Sequence, residues 1–325
     1  MILALQILGG FIGLLLGGEL LVRGAAAIAS RLGMSPLVVG VVIVGFGTSM
    51  PELVTSVRAA LVGAPGIAMG NIVGSNICNI LLILGAAALL RPFVTSRAAV
   101  LRDGSIVILT AALFAAAAMT GTIERWMGAA FLVALVFYIA YTLHADRRDA
   151  SGAAALESAG SAENPAIDDI PDTAGTPLWR SLVHLFGGLV VVLLGAEYLV
   201  RGAVEVATLA NISEEVIGLT LVAIGTSLPE LVTSVVAAIR RHSEIALGNV
   251  LGSNVYNTIG IGGATAVVSP IPVSNEMRFF DVPLMVAISI LLVVVVATGR
   301  KVTRWEGGGL LALYGGYIVF LAQSH

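Results

Sequence analysis

Glu52 and Glu230 are the residues in this chain whose type and setting most demand a chemical role. Each carboxylate sits mid-way along an otherwise apolar helical run. In lipid such a group costs about 2.5–3.5 kcal/mol even on the mildest insertion scales, so it marks a functional site by default. Structural neutralisation by a neighbouring arginine or lysine is the weaker reading, because the apolar runs hold almost no central basic residue. Pro51 and Pro229 stand directly before the two acids, and Gly47 and Gly225 lie four residues before the prolines. Proline lacks an N–H and opens the bond to the carbonyl four residues back, which kinks a helix. The kinks are expected to free carbonyl oxygens near Gly45, Thr48, Ala223 and Thr226. Thr48 and Glu52 are four apart and share a face, as do Thr226 and Glu230. Carboxylate, hydroxyl and carbonyl are all hard oxygen ligands. Calcium takes six to eight of them. Two glutamates neutralise one divalent ion, and after it leaves they can host monovalent ions or protons.

A second polar motif accompanies each kink. GNIVGSNICN (70–79) and GNVLGSNVYN (248–257) place Ser75 with Asn79, and Ser253 with Asn257, one turn apart on a single face. Gly70, Gly74, Gly248 and Gly252 permit close helix approach. The alternative for these serines and asparagines is interhelical hydrogen bonding alone. Asn76 and Asn254 divide evenly between packing and support of the site. Glu19 with Arg23, and Glu197 with Arg201, read as i,i+4 ion pairs at the membrane boundary. The four histidines have no metal-ligand spacing, and Cys78 reads as packing. Trp126, Trp179, Trp305, Tyr314 and Tyr317 read as interfacial anchors. There is no phosphate-binding loop and no nucleophile–base pair or cofactor motif, so an enzyme or ATP-driven pump is not indicated.

These motifs are duplicated. GFGTSMPELVTSVRAA (45–60) recurs as AIGTSLPELVTSVVAA (223–238), the glycine–asparagine block recurs as quoted, and ELLVRGA (19–25) recurs as EYLVRGA (197–203), all at one offset of 178 residues. A constant offset over three separate blocks establishes an internal repeat.

The elements that carry the repeat follow from composition. The chain has 325 residues, 58% hydrophobic and 11% charged, against about 25% charged in soluble domains. Its net charge of −3 without a basic stripe argues against nucleic-acid binding. One cysteine excludes an internal disulfide. The expectation is an all-α polytopic membrane protein of ten transmembrane helices, at 2–30, 36–60, 66–89, 99–119, 124–144, 179–208, 214–239, 244–267, 279–299 and 304–323. Residues 145–178 are acidic, poor in large apolar groups and read as a flexible linker. The chain thus divides into a five-helix repeat (1–144), the linker (145–178) and a second five-helix repeat (179–325). Five is odd, so the second repeat enters from the opposite side and the two are inverted, with broken core helices. Alternating loops place 13 of the 17 basic residues on one side. By the positive-inside rule that side is cytoplasmic, with the linker, and both termini are outside.

The duplicated GTSxPE and GSNxxN blocks closely resemble the alpha-repeats of the sodium/calcium exchanger family, within the calcium/cation antiporters. That resemblance implies a central core built from the second, third, seventh and eighth helices, with long first and sixth helices sliding against it. It implies calcium held by the carboxylates of Glu52 and Glu230 and the carbonyls of Thr48 and Thr226. Sodium sites would use the Gly45 and Ala223 carbonyls with Ser49, Ser227, Ser75 and Ser253, sharing both glutamates, and Asn79 and Asn257 would line a middle site. Gly45 stands where the family often has alanine, a change without consequence if only its carbonyl acts. Asn257 stands where potassium-dependent members carry aspartate, which argues against potassium co-transport. The short linker lacks the calcium-sensing domain of the large animal exchangers.

The expected activity is therefore electrogenic Na+/Ca2+ antiport by alternating access in a prokaryotic inner membrane. The partners are the two ions and the bilayer, with no nucleic acid, cofactor or obligatory protein partner. The alternative is H+/Ca2+ (or another divalent cation) antiport on the same two glutamates; the serine-rich flanks favour sodium. A channel or a non-transporting scaffold fits the broken, duplicated helices and buried acids less well.

Overall fold

The protein is described from a computed structural model over residues 2–94, 97–158, 177–209, 223–299 and 301–324. It is almost entirely helical. The first part holds α1 (Ile2–Leu32), α2 (Pro36–Thr48), α3 (Met50–Leu61), α4 (Pro65–Leu90), α5 (Arg97–Ala118) and α6 (Arg125–Ser158). The second holds α7 (Leu178–Leu209), α8 (Ala223–Thr226), α9 (Leu228–Ile239), α10 (Ser243–Val255 continuing through Tyr256–Ile261 and Gly262–Val268), α11 (Met277–Asp281 continuing as Val282–Gly299) and α12 (Arg304–Ser324). Two small antiparallel ladders join loops of different parts. β1 (Phe93–Val94) pairs with β4 (Lys301–Val302), and β2 (Thr122–Ile123) with β3 (Ile271–Pro272).

Six helices among the described residues are long and apolar enough to span a bilayer, and the bent pair α2–α3 makes a seventh. The predicted span 36–60 is thus two helices meeting at 43°. The predicted span 214–239 lies partly outside the described residues, which resume at α8. α10 falls short on hydropathy because it carries Asn249, Asn254 and Asn257, yet every residue from Ile245 to Val255 is buried. α12 contains five glycines, which dilute its apolarity. α6 does not stop near 144 as predicted. It runs on to Ser158, so the first 14 residues assigned to the linker are helical. Apolarity ends where water begins, but the helix-favouring Ala and Arg of this tail continue the backbone pattern. Asp146, in that tail, accepts the Ser35 amide at 3.0 Å and so holds the start of α2, where Ser35 is the N-cap. The remaining linker, 159–176, lies outside the described residues.

The long helices α1 and α7 form the most extensive helix pair. Their backbones approach closely because glycine leaves room: a Cβ on Gly17 would lie 2.6 Å from the Val192 amide nitrogen. Small residues at such seams replace the hydrophobic drive that lipid cannot supply. Gly17→Val is therefore expected to destabilise the fold by about 1–3 kcal/mol or more. Gly9→Val, where nothing lies within 4 Å, should be silent. Thermal midpoints of the two variants in detergent test this.

The other elements surround a buried centre. α3 packs on α4 and α9 on α10, while α10 also packs along α2. The last turns of α4 receive α12, as those of α10 receive α6. Among the described residues four π-helical stretches, Gly40–Val44, Asn79–Leu84, Tyr256–Ile261 and Met277–Asp281, interrupt the ladder. Such bulges recur at functional sites.

Candidate ion-binding site

Two helix breaks face each other across the centre. The first falls at Ser49 (φ −81°, ψ 7°), between α2 and α3, and the second at Ser227 (φ −89°, ψ 6°), between α8 and α9. Pro51 and Pro229 follow in the first turn of the resumed helix, where a missing N–H costs nothing. Glu52 and Glu230 lie in that same first turn, so each carboxylate sits at the positive end of a helix. Both are buried, at 1% and 2% exposure.

Each glutamate is served from the opposite half. Ser49 Oγ donates to Glu230 Oε1 at 3.0 Å, and Ser227 Oγ donates to Glu52 Oε1 at 3.1 Å. Ser227 also lies 3.4 Å from Ser75 Oγ. The second carboxylate oxygen of each, Glu52 Oε2 and Glu230 Oε2, is buried with no hydrogen-bond partner among the described residues. The same holds for both polar atoms of the Asn79 side chain and for Asn257 Oδ1. A buried oxygen without a partner is expensive. The oxygens of these four side chains, two acids and two amides singled out by their spacing, can take a cation, and the two carboxylates can also take a proton, whereas Asn79 Nδ2 is a donor and calls for an acceptor. No cluster of three or more His, Cys, Asp or Glu occurs among the described residues.

The hydroxyls and carbonyls are placed as follows. Thr48 Oγ1 donates to the Val44 carbonyl at 3.0 Å and lies 3.1 Å from Asn249 Oδ1. Thr226 Oγ1 lies 3.4 Å from Asn71 Oδ1. The Gly45 carbonyl was expected to be bare. It accepts the Ser49 amide at 3.1 Å, and Ser253 Oγ lies 3.5 Å from it. The break therefore re-forms one bond beyond the proline's reach, because Ser49, not Pro51, carries the donor. In the other half the Ser227 amide turns to the Ile224 carbonyl at 3.1 Å. Ala223 opens α8 at the edge of the described residues. Ser253 and Asn257 are fully enclosed on α10. Close packing of α10 on α2 requires Gly252, where a Cβ would lie 2.5 Å from the Val41 carbonyl oxygen.

Sequence reasoning passed over Asn71 and Asn249. Asn71 Nδ2 donates to the Glu52 carbonyl at 3.0 Å and to Ser56 Oγ at 2.8 Å; Asn249 Nδ2 donates to the Glu230 carbonyl at 3.3 Å and to Ser234 Oγ at 2.9 Å. Each amide thus grips the glutamate backbone of its own half and meets the break threonine of the other. The signal was present: 71, 75, 79 and 249, 253, 257 form polar stripes at i, i+4, i+8. Asn76 and Asn254 instead turn back on their own helices, each donating at 2.7 Å to a carbonyl four residues earlier.

The peripheral expectations divide. Arg23 pairs with Glu19 at 2.6 Å, and Arg201 with Glu197. Glu19 also binds Arg240 at 2.6 Å, tying α1 to the end of α9. Trp126, Trp179 and Trp305 are exposed. Tyr314 and Tyr317 instead pack partly buried against the core.

The comparisons agree with this geometry. The model of the sodium/calcium exchanger protein family matches residues 2–144 and 180–323. The sodium/calcium exchanger MaX1 of Methanosarcina acetivorans is 34% identical over 98% of this chain and 97% of its own. The inner membrane protein YrbG of Escherichia coli is 31% identical over 100% of this chain and 98% of its own. A solved structure of the sodium-calcium exchanger NCX_Mj soaked with Na+ and Ca2+ superposes with a TM-score of 0.83 at 33% identity, over 98% of each chain. Match by family model, full-length identity and shared helical architecture converge: the chain belongs to the sodium/calcium exchanger family of membrane proteins, secondary transporters and not enzymes.

Proposed function

We propose that the protein exchanges Na+ for Ca2+ across a prokaryotic inner membrane, both ions competing for Glu52 and Glu230. The observation that carries this reading is the pair of buried glutamates, each held through one oxygen by the opposite half's serine and each keeping its other oxygen without a hydrogen-bond partner among the described residues. The full-length likeness to MaX1 and NCX_Mj supports the choice of ions.

In this reading the Glu52 and Glu230 carboxylates and the Thr48 and Thr226 carbonyls hold calcium. Ser49, Ser75, Ser227, Ser253 and the Gly45 and Ala223 carbonyls complete sodium sites, and Asn79 and Asn257 line the middle. Ions are cargo, and no cofactor is needed. The chain forms ten spans in two inverted halves, 1–144 and 179–325, with the linker between them cytoplasmic and both termini outside. α2–α3, α4, α8–α9 and α10 form the core, and α1 and α7 slide against it. An empty core keeps two bare carboxylates and resists crossing, which enforces coupling. Loading more sodium charge than calcium charge makes exchange electrogenic, and Asn257 in place of an acid makes it independent of potassium.

Equilibrium binding tests the shared site. Calcium bound to the purified protein should be displaced by sodium but not by potassium at fixed pH. Displacement by acid alone, with sodium inert, would instead assign H+/Ca2+ antiport to the same glutamates.

A further inference from the structure

Outside the ion site, one cavity of about 450 Å³ lies where α4 and α9 end and α12 begins, lined by Leu90, Arg91, Pro92, Ile239 and Arg304. Both halves of the chain contribute, two of the five residues are arginines, and none is acidic. Arg91 Nη1 donates to the Ile239 carbonyl at 3.5 Å, and Arg304 Nη2 to the Leu90 carbonyl at 3.5 Å. Both bonds are at the limit of a hydrogen bond. A guanidinium carries five N–H donors, so most of each fork stays available to the cavity. Neither arginine pairs with a carboxylate among the described residues. Neighbouring Arg240 differs, since its guanidinium is committed to Glu19.

The rim is apolar and open. Ile239 is 54% exposed and Trp305 is 91% exposed, with Leu89 and Leu90 beside them. Two guanidiniums next to a bare apolar surface suit a ligand that is anionic at one end and hydrocarbon at the other.

The internal repeat provides a comparison. At the other end of the molecule Arg125 Nη2 donates to the Val268 carbonyl at 3.4 Å, just as Arg304 does to Leu90, 178 residues earlier. One arginine on a helix-end carbonyl is therefore a device of both halves. The second arginine is not: the counterpart of Arg91 is Ser269. Among the described residues the doubled site lies at the end that the loop count makes richer in basic residues.

We propose that this cavity binds the phosphate of an anionic phospholipid of the cytoplasmic leaflet. The phosphate sits between Arg91 and Arg304, and the acyl chains run over Leu89, Leu90, Ile239 and Trp305. Arginine forks match phosphate oxygens, and basic pockets between helices on the cytoplasmic side select such headgroups. The bound lipid ties the ends of core helices from both halves to α12. The choice of leaflet rests on the orientation proposed above; the assignment does not depend on which ions the protein carries.

Native mass spectrometry of the delipidated full-length protein tests it, with phosphatidylglycerol, phosphatidylcholine and inorganic phosphate as probes. The wild type should prefer phosphatidylglycerol over phosphatidylcholine by about tenfold or more, equivalent to roughly 1.4 kcal/mol. The double variant Arg91→Gln/Arg304→Gln should lose that preference, and Arg125→Gln should keep it. Ile239→Glu, a half-exposed position whose carbonyl is unchanged, should also abolish it and serves if the double variant does not fold. Preference retained in the folded variants overturns the proposal. Displacement of the lipid by millimolar inorganic phosphate overturns the lipid assignment in favour of a free-anion pocket.

Discussion

Glutamine at position 52 or at position 230 is expected to cut calcium exchange by about 100-fold or more while leaving the protein folded. In the proposed exchange the two carboxylates supply the charge that offsets a divalent ion, and neither pairs with a basic side chain among the described residues. Removing one leaves a single negative charge against two positive ones in a buried site. Breaking a buried charge pair costs about 3–5 kcal/mol, so calcium exchange should fall by about 100-fold or more, at about 1.4 kcal/mol per decade. The amide keeps the shape and still accepts from the opposite serine, Ser227 for position 52 and Ser49 for position 230. It is also less costly to hold in lipid than a carboxylate. The variants should therefore match or exceed the wild type in thermal midpoint. Loss of exchange together with a lower midpoint would point to damage to the fold and not to the ion. Glu19→Gln is the control. Its pairs with Arg23 and Arg240 are solvent-facing on the arginine side, and such pairs contribute about 0–1 kcal/mol, so exchange should stay within severalfold.

Asn249→Ala ranks second, and its effect is on the frame as much as on the ion. The Asn249 amide is fully buried and meets Glu230, Ser234 and Thr48, groups from both breaks. Its removal takes a donor from the Glu230 carbonyl and from Ser234 Oγ, at about 1–3 kcal/mol for a buried polar group left unsatisfied, less what relaxation recovers, while Thr48 Oγ1 keeps its bond to the Val44 carbonyl. The expected result is a lowered thermal midpoint and at least tenfold weaker calcium binding. Asn71→Ala removes the matching set, but Asn71 is only part-buried and its contact with Thr226 is longer, at 3.4 Å. It should be the milder variant. Equal effects in calorimetric titration and thermal denaturation would refute the claim that burial of the second-half asparagine makes it the stiffer clamp.

Much of this was legible before any coordinates, for reasons that can be named. Glu52 and Glu230 were conspicuous because a carboxylate inside an apolar run has no bland explanation. Pro51 and Pro229 announced the breaks because proline has no N–H for the carbonyl four residues back and is tolerated only in the first turn of a helix. The helix limits came within a few residues wherever a charge or glycine marked the boundary, as at Arg31 or Gly63. They failed at α6, where helix-favouring residues carry the backbone beyond the apolar stretch. What the sequence could not show was the crossing of hydrogen bonds between halves. The spacing of Thr48 and Glu52 predicted partners within one kink, whereas Ser49 reaches Glu230 and Ser227 reaches Glu52. A pattern along one helix carries no information about which helix lies opposite. For the same reason Asn71 and Asn249 passed unnoticed despite their regular spacing, and the tie from Glu19 to Arg240, 221 residues away, was invisible. The expected span 244–267 matches α10 to within a residue at each end, although its asparagines lower its hydropathy.

The most direct test of the central claim is calcium-45 uptake into sodium-loaded proteoliposomes, with wild type and Glu52→Gln measured side by side at equal pH on both faces. The account predicts uptake that requires internal sodium, responds to membrane potential and disappears in the variant. Uptake that proceeds without sodium under a pH gradient, or that survives in Glu52→Gln, would contradict it.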